Sequence, residues 1–362
     1  MSATADDYRW MARALELAER GLFTTTPNPR VGCVIVQDGE MVGEGWHHRA
    51  GEPHAEVHAL AMAGERARGA SAYVTLEPCS HHGRTPPCAE ALVKAGVARV
   101  VAAMEDPNPL VAGRGLALLR DAGIDVMFGV QEGEARELNI GFVSRMIRGR
   151  PWLRLKAAAT LDGKTALDNG VSQWITGDDA RRDAHRWRAR SCAVLTGIGT
   201  VRDDDPQLNV RAIPTERQPL RIVVDARLET PLNAKLLDGG PVLIAGAIDD
   251  AERVAALSRR GAEVLILPNT GGKVDLPALF LELGRRGINE VLAESGFKLN
   301  GSLLRENCVD ELILYLAPAL VGDAARGLFN LPALTSLADK RQLAFHDIRQ
   351  IGGDLRILAR PR

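Results

Sequence analysis

The stretch from His54 to Cys88 opens with H-A-E-V-H at residues 54–58 and closes with E-P-C-S-H-H-G-R-T-P-P-C at residues 77–88. One imidazole, His54, is followed two residues on by a carboxylate, Glu56; two thiols, Cys79 and Cys88, stand with eight residues between them. Pro53 precedes His54 and an apolar-periodic run through Val57, Leu60 and Ala61 follows it, so His54 and Glu56 are expected in the first turn of a helix. Cys79 closes the strand-like run S-A-Y-V-T-L-E. In T-P-P-C, Thr85 reads as an N-cap and Pro86 as the first helical residue, which puts Cys88 in an opening turn where the helix dipole favours a thiolate. A strand end that meets two helix starts is an α/β arrangement.

The residue types name the chemistry. Zinc held by three protein ligands keeps a fourth position for water and lowers the pKa of that water toward neutrality. Expelling ammonia from an aminated heterocycle also needs a proton carried to ring and leaving nitrogens, and a carboxylate beside the metal can serve as both base and acid. His54, Cys79 and Cys88 are therefore the metal ligands and Glu56 the shuttle, the pattern of zinc nucleobase deaminases. A purely structural zinc would want a fourth protein ligand and would leave Glu56 without a use. His47, His48, His58, His81 and His82 are surplus imidazoles; His58, one turn after His54, is expected to pack or support rather than ligate.

At 362 residues the chain is long enough for two domains with separate cores. A net charge of −1 with 25% charged and 4% aromatic residues argues against a nucleic-acid binder, which would want a basic, aromatic-lined groove. The longest apolar run, L-I-L-Y-L-A-P-A-L-V, is too short for a membrane span and is interrupted by Pro318. M-S-A-T-A-D-D lacks the regions of a signal peptide, so a cytoplasmic location is expected. Two of the five cysteines are committed to metal, and Cys33, Cys192 and Cys308 read as small buried residues.

Residues 5–20 carry Tyr8, Met11, Leu15 and Ala18 at helical spacing. A hairpin turning at Asp38-Gly39 follows the loop T-P-N-P-R. Helices then alternate with strands: one after His54, one after Cys88, one near 115–122 and one near 131–146, with strands near 71–76, in R-V-V-A-A-M and in I-D-V-M-F. The expectation is a three-layer α/β domain. With the zinc ligands and Glu56, the loop T-P-N-P-R-V-G-C-V-I-V makes this half resemble the cytidine-deaminase-like superfamily. P-N-P-R-V-G, G-W-H-H-R-A-G-E-P-H-A-E and E-P-C-S-H-H-G-R-T-P-P-C narrow the resemblance to the deaminase domain of the bifunctional riboflavin-biosynthesis deaminase/reductase family. Cytidine and tRNA adenosine deaminases bring their last two cysteines on P-C-x-x-C, whereas an insertion separates them here and supplies Arg84, a cation for a substrate phosphate. By resemblance, Asn28 and His47 line the pyrimidine pocket.

Gly149 and Pro151 mark a boundary, giving domains 1–149 and 150–362. Beyond it, strand-like runs separated by helical patterns near 178–189, 251–260, 277–286 and 297–306 suggest a mostly parallel sheet with later strands on its edge. No G-x-G-x-x-G follows the first of these strands, so a Rossmann site is not indicated. G-I-G-T at 197–200 reads as a plain turn that could offer backbone N–H groups to phosphate. L-K-A-A-A-T-L-D-G-K-T-A, V-S-Q-W-I-T-G, R-W-R-A-R, G-I-G-T-V-R-D-D-D-P-Q-L-N-V-R and A-E-S-G-F-K-L-N-G resemble the reductase domain of the same family, which implies a dihydrofolate-reductase-like fold and NADPH. That resemblance turns Ala158, Trp174, Thr200, Asp204, Ser295 and Gly296 toward the cofactor, with Asp203 and Asp205 open alternatives to Asp204. It turns Ser172, Arg188, Leu208, Arg211 and Glu294 toward the substrate. On its residues alone, Trp174 could equally be core.

The resemblance runs from about residue 8 to about 330 and implies zinc and NADPH as cofactors. The substrate it implies is a pyrimidine ribosyl phosphate, 2,5-diamino-6-(5-phosphoribosylamino)pyrimidin-4-one, deaminated in the first half and then reduced in its ribosyl side chain in the second. A homo-oligomer is expected, with no nucleic-acid or membrane partner. A scaffold or sensing module with structural zinc is the rival reading, and Glu56 weighs against it.

Overall fold

The computed structural model describes residues 2–80, 87–109 and 111–362, and the chain falls into two units, Met1–Gly149 and Arg150–Arg362. The first unit runs α1 (Ala5–Glu19), β1 (Gly32–Gln37), β2 (Glu40–Trp46), α2 (Ala55–Ala63), β3 (Ser71–Val74), α3 (Cys88–Ala95), β4 (Arg99–Ala102), α4 (Arg114–Asp121), β5 (Asp125–Phe128), α5 (Glu132–Leu138) and α6 (Ile140–Arg148). Its five strands lie in the order β2-β1-β3-β4-β5, with β1 antiparallel to both neighbours and β3, β4 and β5 parallel. The β1–β2 turn has Asp38 at φ 51° and Gly39 at φ 79°, the left-handed pair a two-residue hairpin requires.

Alternate residues of β1 feed two cores. Cys33 and Ile35 pack with Ala55, Ala59 and Ala63 of α2, while Val34 and Val36 pack with Met11, Ala14 and Leu17 of α1. The sheet is thus covered on both faces, three layers deep. Glycines set the separation of the layers: a Cβ on Gly45 would sit 2.6 Å from the Ala55 carbonyl, and one on Gly43 2.2 Å from that of Ala59. The single helix expected near 131–146 is two, α5 and α6. Asn139 breaks it because its side chain is spent on the backbone of Arg30, at 2.8 and 2.9 Å. The helix starting at Cys88 has Pro87 as its N-cap; Thr85 and Pro86 lie outside the described residues.

The second unit runs β6 (Trp152–Thr160), β7 (Lys164–Ala166), α7 (Asp178–Arg190), β8 (Ala193–Gly197), α8 (Ile198–Asp204), β9 (Leu220–Val224), β10 (Val242–Gly246), α9 (Ala251–Arg259), β11 (Ala262–Ile266), α10 (Leu276–Arg285), β12 (Glu290–Glu294), α11 (Phe297–Arg305), β13 (Glu311–Ala317), β14 (Arg326–Gly327), β15 (Leu343–Ile351) and β16 (Asp354–Pro361). The nine-stranded sheet is ordered β11-β10-β9-β8-β12-β6-β13-β16-β15, parallel as far as β13 and closed by an antiparallel β16–β15 edge. G-I-G-T is not a plain turn: Gly197 is the N-cap of α8, and the sequence after Gly199 continues as helix. Under the sheet's centre, Arg154 is buried between Glu290 and Glu311, which removes three charges from water only because each is paired. Among the described residues no helix is long and apolar enough to cross a membrane.

Candidate active sites

In the first unit β3 and β4 are parallel, and the chain leaves β3 toward Cys79 at the same edge where β4 ends. Two helix starts meet there. His54 is the N-cap of α2, and Cys88 is the first residue of α3. His54 Nδ1 lies 3.6 Å from Cys79 Sγ and 3.4 Å from Cys88 Sγ, and the three donors all fall within 4.8 Å of one another. Zinc–sulfur bonds of about 2.3 Å and zinc–nitrogen bonds of about 2.0 Å at tetrahedral angles would put N and S about 3.5 Å apart, so the donor set fits zinc as it stands. The Cys88 amide also donates to Cys79 Sγ at 3.3 Å. Hydrogen bonds from the Cys88 side chain and then from His54 pull the Cys79 thiol down to about 4 against the effect of burial. Cys88, the donor to that thiolate, is pushed up, as burial also demands.

Glu56 is on the first turn of α2 and only 3% exposed. Its Oε2 is buried and finds no hydrogen-bond partner among the described residues. Burial first, and the Cys79 charge second, raise its carboxyl to about 6. A buried polar oxygen without a partner is costly in a folded protein and marks a place where something else is to bind.

Asn28 and His47 are brought together. His47 Nδ1 is 3.2 Å from the Pro53 carbonyl, which can only accept, so that nitrogen carries the proton and Nε2 is left to accept from Asn28 Nδ2 at 3.0 Å. Burial lowers the His47 pKa and keeps the ring neutral. The consequence is that Asn28 Oδ1 is an acceptor left free of this relay. His58 stacks on His48, ring centroids 4.5 Å apart, and is a packing residue. Arg84 lies outside the described residues.

In the second unit, of the residues expected toward the substrate, Arg188 is on α7, Glu294 ends β12, Leu208 and Arg211 are in the loop after α8, and Ser172 precedes α7. Arg188 Nε and Nη2 meet Glu294 Oε1 and Oε2 at 2.5 and 2.9 Å, and Nη1 donates to the Asn209 carbonyl at 3.0 Å. This guanidinium, expected toward the substrate, is held by a carboxylate and a backbone carbonyl of the same unit. Arg211 keeps more freedom: its amide donates to His185 Nδ1 at 3.3 Å, and its guanidinium donates to the Asn209 amide oxygen at 3.1 Å, with no ion pair among the described residues. A concavity bordered by His185, Arg181, Arg182 and Arg211 opens beside it. Leu208 is buried at φ 52°, holding the loop between Asp204 and Arg211 in a left-handed bend.

Ser172, expected toward the substrate, donates from Oγ to Oδ1 of Asp204, expected toward the cofactor, at 3.3 Å. Asp205 is instead occupied by the amide of Lys235 at 2.9 Å. Gly296 is the N-cap of α11 and lies against Thr200, where a Cβ would be 3.7 Å from Thr200 Oγ1. Ser295 Oγ is turned to Asn300 Oδ1, at 2.7 Å. Ala158 is on β6, and Trp174 is 68% exposed with the Arg181 guanidinium 4.5 Å over its ring, so it is not a core residue. Sequence reasoning missed Lys156, whose Nζ is 3.8 Å from Glu294 Oε2. A lysine inside the apolar strand L-R-L-K-A-A-A was the available signal.

Two family models match the chain: the RibD C-terminal domain over residues 151–357, and the cytidine and deoxycytidylate deaminase zinc-binding region over residues 4–104. The riboflavin biosynthesis protein RibD of Escherichia coli (strain K12) is 53% identical across 97% of this chain and 98% of its own length. Among solved structures, Acinetobacter baumannii RibD is 46% identical at a TM-score of 0.91 and covers 99% of both chains. A diaminohydroxyphosphoribosylaminopyrimidine deaminase/5-amino-6-(5-phosphoribosylamino)uracil reductase from Thermotoga maritima is 32% identical at a TM-score of 0.89, again over 99% of both.

Proposed function

Because this chain belongs to the RibD family, the bifunctional deaminase/reductases of riboflavin biosynthesis, we propose a division of labour in which residues 1–149 deaminate and residues 150–362 reduce. The substrate is 2,5-diamino-6-(5-phosphoribosylamino)pyrimidin-4-one, and the deaminated 5-amino-6-(5-phosphoribosylamino)uracil is then reduced in its ribosyl chain to ribityl. The observation that carries the first half is the convergence of His54, Cys79 and Cys88 beside a buried Glu56 oxygen with no partner among the described residues.

His54, Cys79 and Cys88 hold zinc, whose Lewis acidity makes water nucleophilic near neutral pH. Glu56 then moves protons at Oε2: it takes one proton from the attacking water and passes it to the ring nitrogen, then takes the remaining proton of the added hydroxyl and passes it to the amine, which leaves as ammonia while the carbonyl forms. A carboxyl raised to about 6 suits both directions. The Pro53–His47–Asn28 relay turns Asn28 Oδ1 toward ring N–H donors. Arg84 adds a cation for the phosphate.

In the second half NADPH, when bound, supplies the hydride. Gly197 and Gly296 begin helices without side-chain caps, so free backbone N–H groups fit the anionic parts of a dinucleotide. Ala158, Trp174, Thr200, Asp204, Ser295 and Gly296 line the cofactor side, and Ser172, Leu208 and Arg211 the substrate side. Arg188 and Lys156 hold the Glu294 carboxylate ionised and aimed, and Arg211 is left as the cation for phosphate. The test mixes purified protein with the diaminopyrimidine phosphate and follows ammonia release and NADPH oxidation separately. Ammonia release without zinc, or a reductase half that oxidises no nicotinamide cofactor, would overturn the assignment.

A further inference from the structure

Glu77 stands two residues before Cys79 and is 3% exposed, yet neither the zinc chemistry nor the pyrimidine pocket uses it. Its carboxylate accepts four backbone amides: Asp106 and Gly113 on Oε2, each at 3.0 Å, and Gly115 and Leu116 on Oε1, at 2.8 and 3.3 Å. Its own amide donates to the Met104 carbonyl at 2.9 Å. The first pair of amides brackets the loop that leaves β4. The second pair belongs to the first turn of α4, whose N-cap, Gly113, has no side chain to satisfy them. The glycines are required by this contact: a Cβ on Gly115 would lie 2.0 Å from the Pro78 carbonyl, and Gly113 sits at φ +76°.

Four amides arranged around one carboxylate fix it in both position and rotation, and fix the Glu77-Pro78-Cys79 backbone with it, since proline removes one backbone freedom between them. Cys79 in turn is tied to α3 by the Cys88 amide on its sulfur and by the Ala89 amide on its carbonyl, at 3.2 Å. A continuous set of contacts therefore runs from α4 and the β4 loop through Glu77 to two of the three metal donors. An ordinary helix cap would need one or two of these bonds and would have no reason to sit beside a ligand.

We infer that Glu77 is a positioning residue for deamination, which holds the Cys79 ligand in register with the amides of Asp106 and Gly113 and with the first turn of α4. The inference rests on the zinc reading of His54, Cys79 and Cys88. Supporting groups behind metal ligands typically change metal affinity or activity by about 10- to 100-fold when removed. Replacing the carboxylate by an amide puts an NH2 against backbone N–H groups that need an acceptor.

The experiment uses the full chain as wild type, Glu77→Gln and Glu77→Asp, with three readouts: zinc release to a chromogenic chelator, kcat and KM of deamination, and kcat and KM of the reductase as a control on the same molecule. In E77Q zinc release is expected to accelerate by about tenfold or more, with deaminase kcat lowered, KM raised and the reductase unchanged. E77D keeps the charge on a side chain one methylene shorter, and is expected to release zinc faster and deaminate more slowly than wild type with the reductase unchanged, which carries the test if E77Q does not fold. Zinc released at the wild-type rate, with deaminase kcat and KM within about twofold, would overturn the inference even if the unfolding midpoint fell, because that is all a helix cap predicts. Wild-type protein that holds no stoichiometric zinc would overturn the underlying metal reading, and this inference with it.

Discussion

At the scale of single residues, Glu56 and Glu294 are both buried carboxylates, and their neighbours give them opposite fates. Burial raises Glu56 and, among the described residues, the pull of His54 does not outweigh it, whereas around Glu294 burial is overcome by Arg188, then Lys156 and His185, and its pKa is held at about 2. Glu56→Gln keeps size and loses the proton carrier, so it is expected to retain zinc and reduce the deaminated substrate normally while deamination falls by about a hundred- to ten-thousandfold. Metal analysis and the two separate assays check this. For Glu294 the sign follows from a folded pKa below the unfolded one: its ion pair contributes above about pH 4.5 and is lost as pH falls toward 2. Arg188→Ala strands that carboxylate and is expected to cost about 3 kcal/mol at pH 7, with the difference from wild type shrinking between pH 4.5 and 2. Denaturant unfolding at a series of pH values measures it. His54, Glu56, Cys79 and Cys88 were legible in the sequence because their types and spacing are themselves the chemistry. Glu77 was not, because its amide partners lie 29 to 39 residues away and a glutamate at a strand end has no local pattern to announce four backbone donors.

At the scale of elements, the deaminase geometry depends on how closely α2 lies against the hairpin. Gly43 and Gly45 are two apart on β2 and so face the same side, where α2 presents the Ala55 and Ala59 carbonyls. Gly45→Ala is expected to push α2 outward and misplace His54 and Glu56 together. Deaminase kcat/KM should fall by at least tenfold while the reductase is unchanged, which parallel kinetic assays on one preparation would show. Elements with one clear periodicity were readable: the Asp38-Gly39 hairpin, the helices after His54 and Cys88, and the apolar parallel strands of the second unit. α8 was obscured because Gly197 and Gly199 argue against helix, although one is its cap and only the other lies inside it. β15 was missed because most of its residues are exposed, so no alternation of buried and solvent-facing residues marks it as a strand.

At the scale of the whole chain, each unit carries its own buried apolar clusters: among the described residues two are built within Met1–Gly149 and three within Arg150–Arg362. Ligands stabilise only the unit that binds them. Removing zinc with a chelator is therefore expected to lower the unfolding temperature of one transition, the one retained by the fragment 1–149, and leave the other in place. Scanning calorimetry of the full chain and of that fragment, with and without chelator, separates the two; a single transition shifted as a whole would contradict it.

The strand order of the second sheet bears on how the chain is made. β6 leads its unit in sequence but lies between β12 and β13, whereas β8, β9 and β10 can pair with one another as they appear. A nascent chain that has reached residue 250 holds every strand of the first unit, yet it carries β6 with neither of its flanking strands. The deaminase half can thus acquire its metal while the reductase half is still being synthesised. Through that interval β6, with its central run Leu153–Ala159 largely apolar, is an unpaired strand of the kind that invites association with other chains.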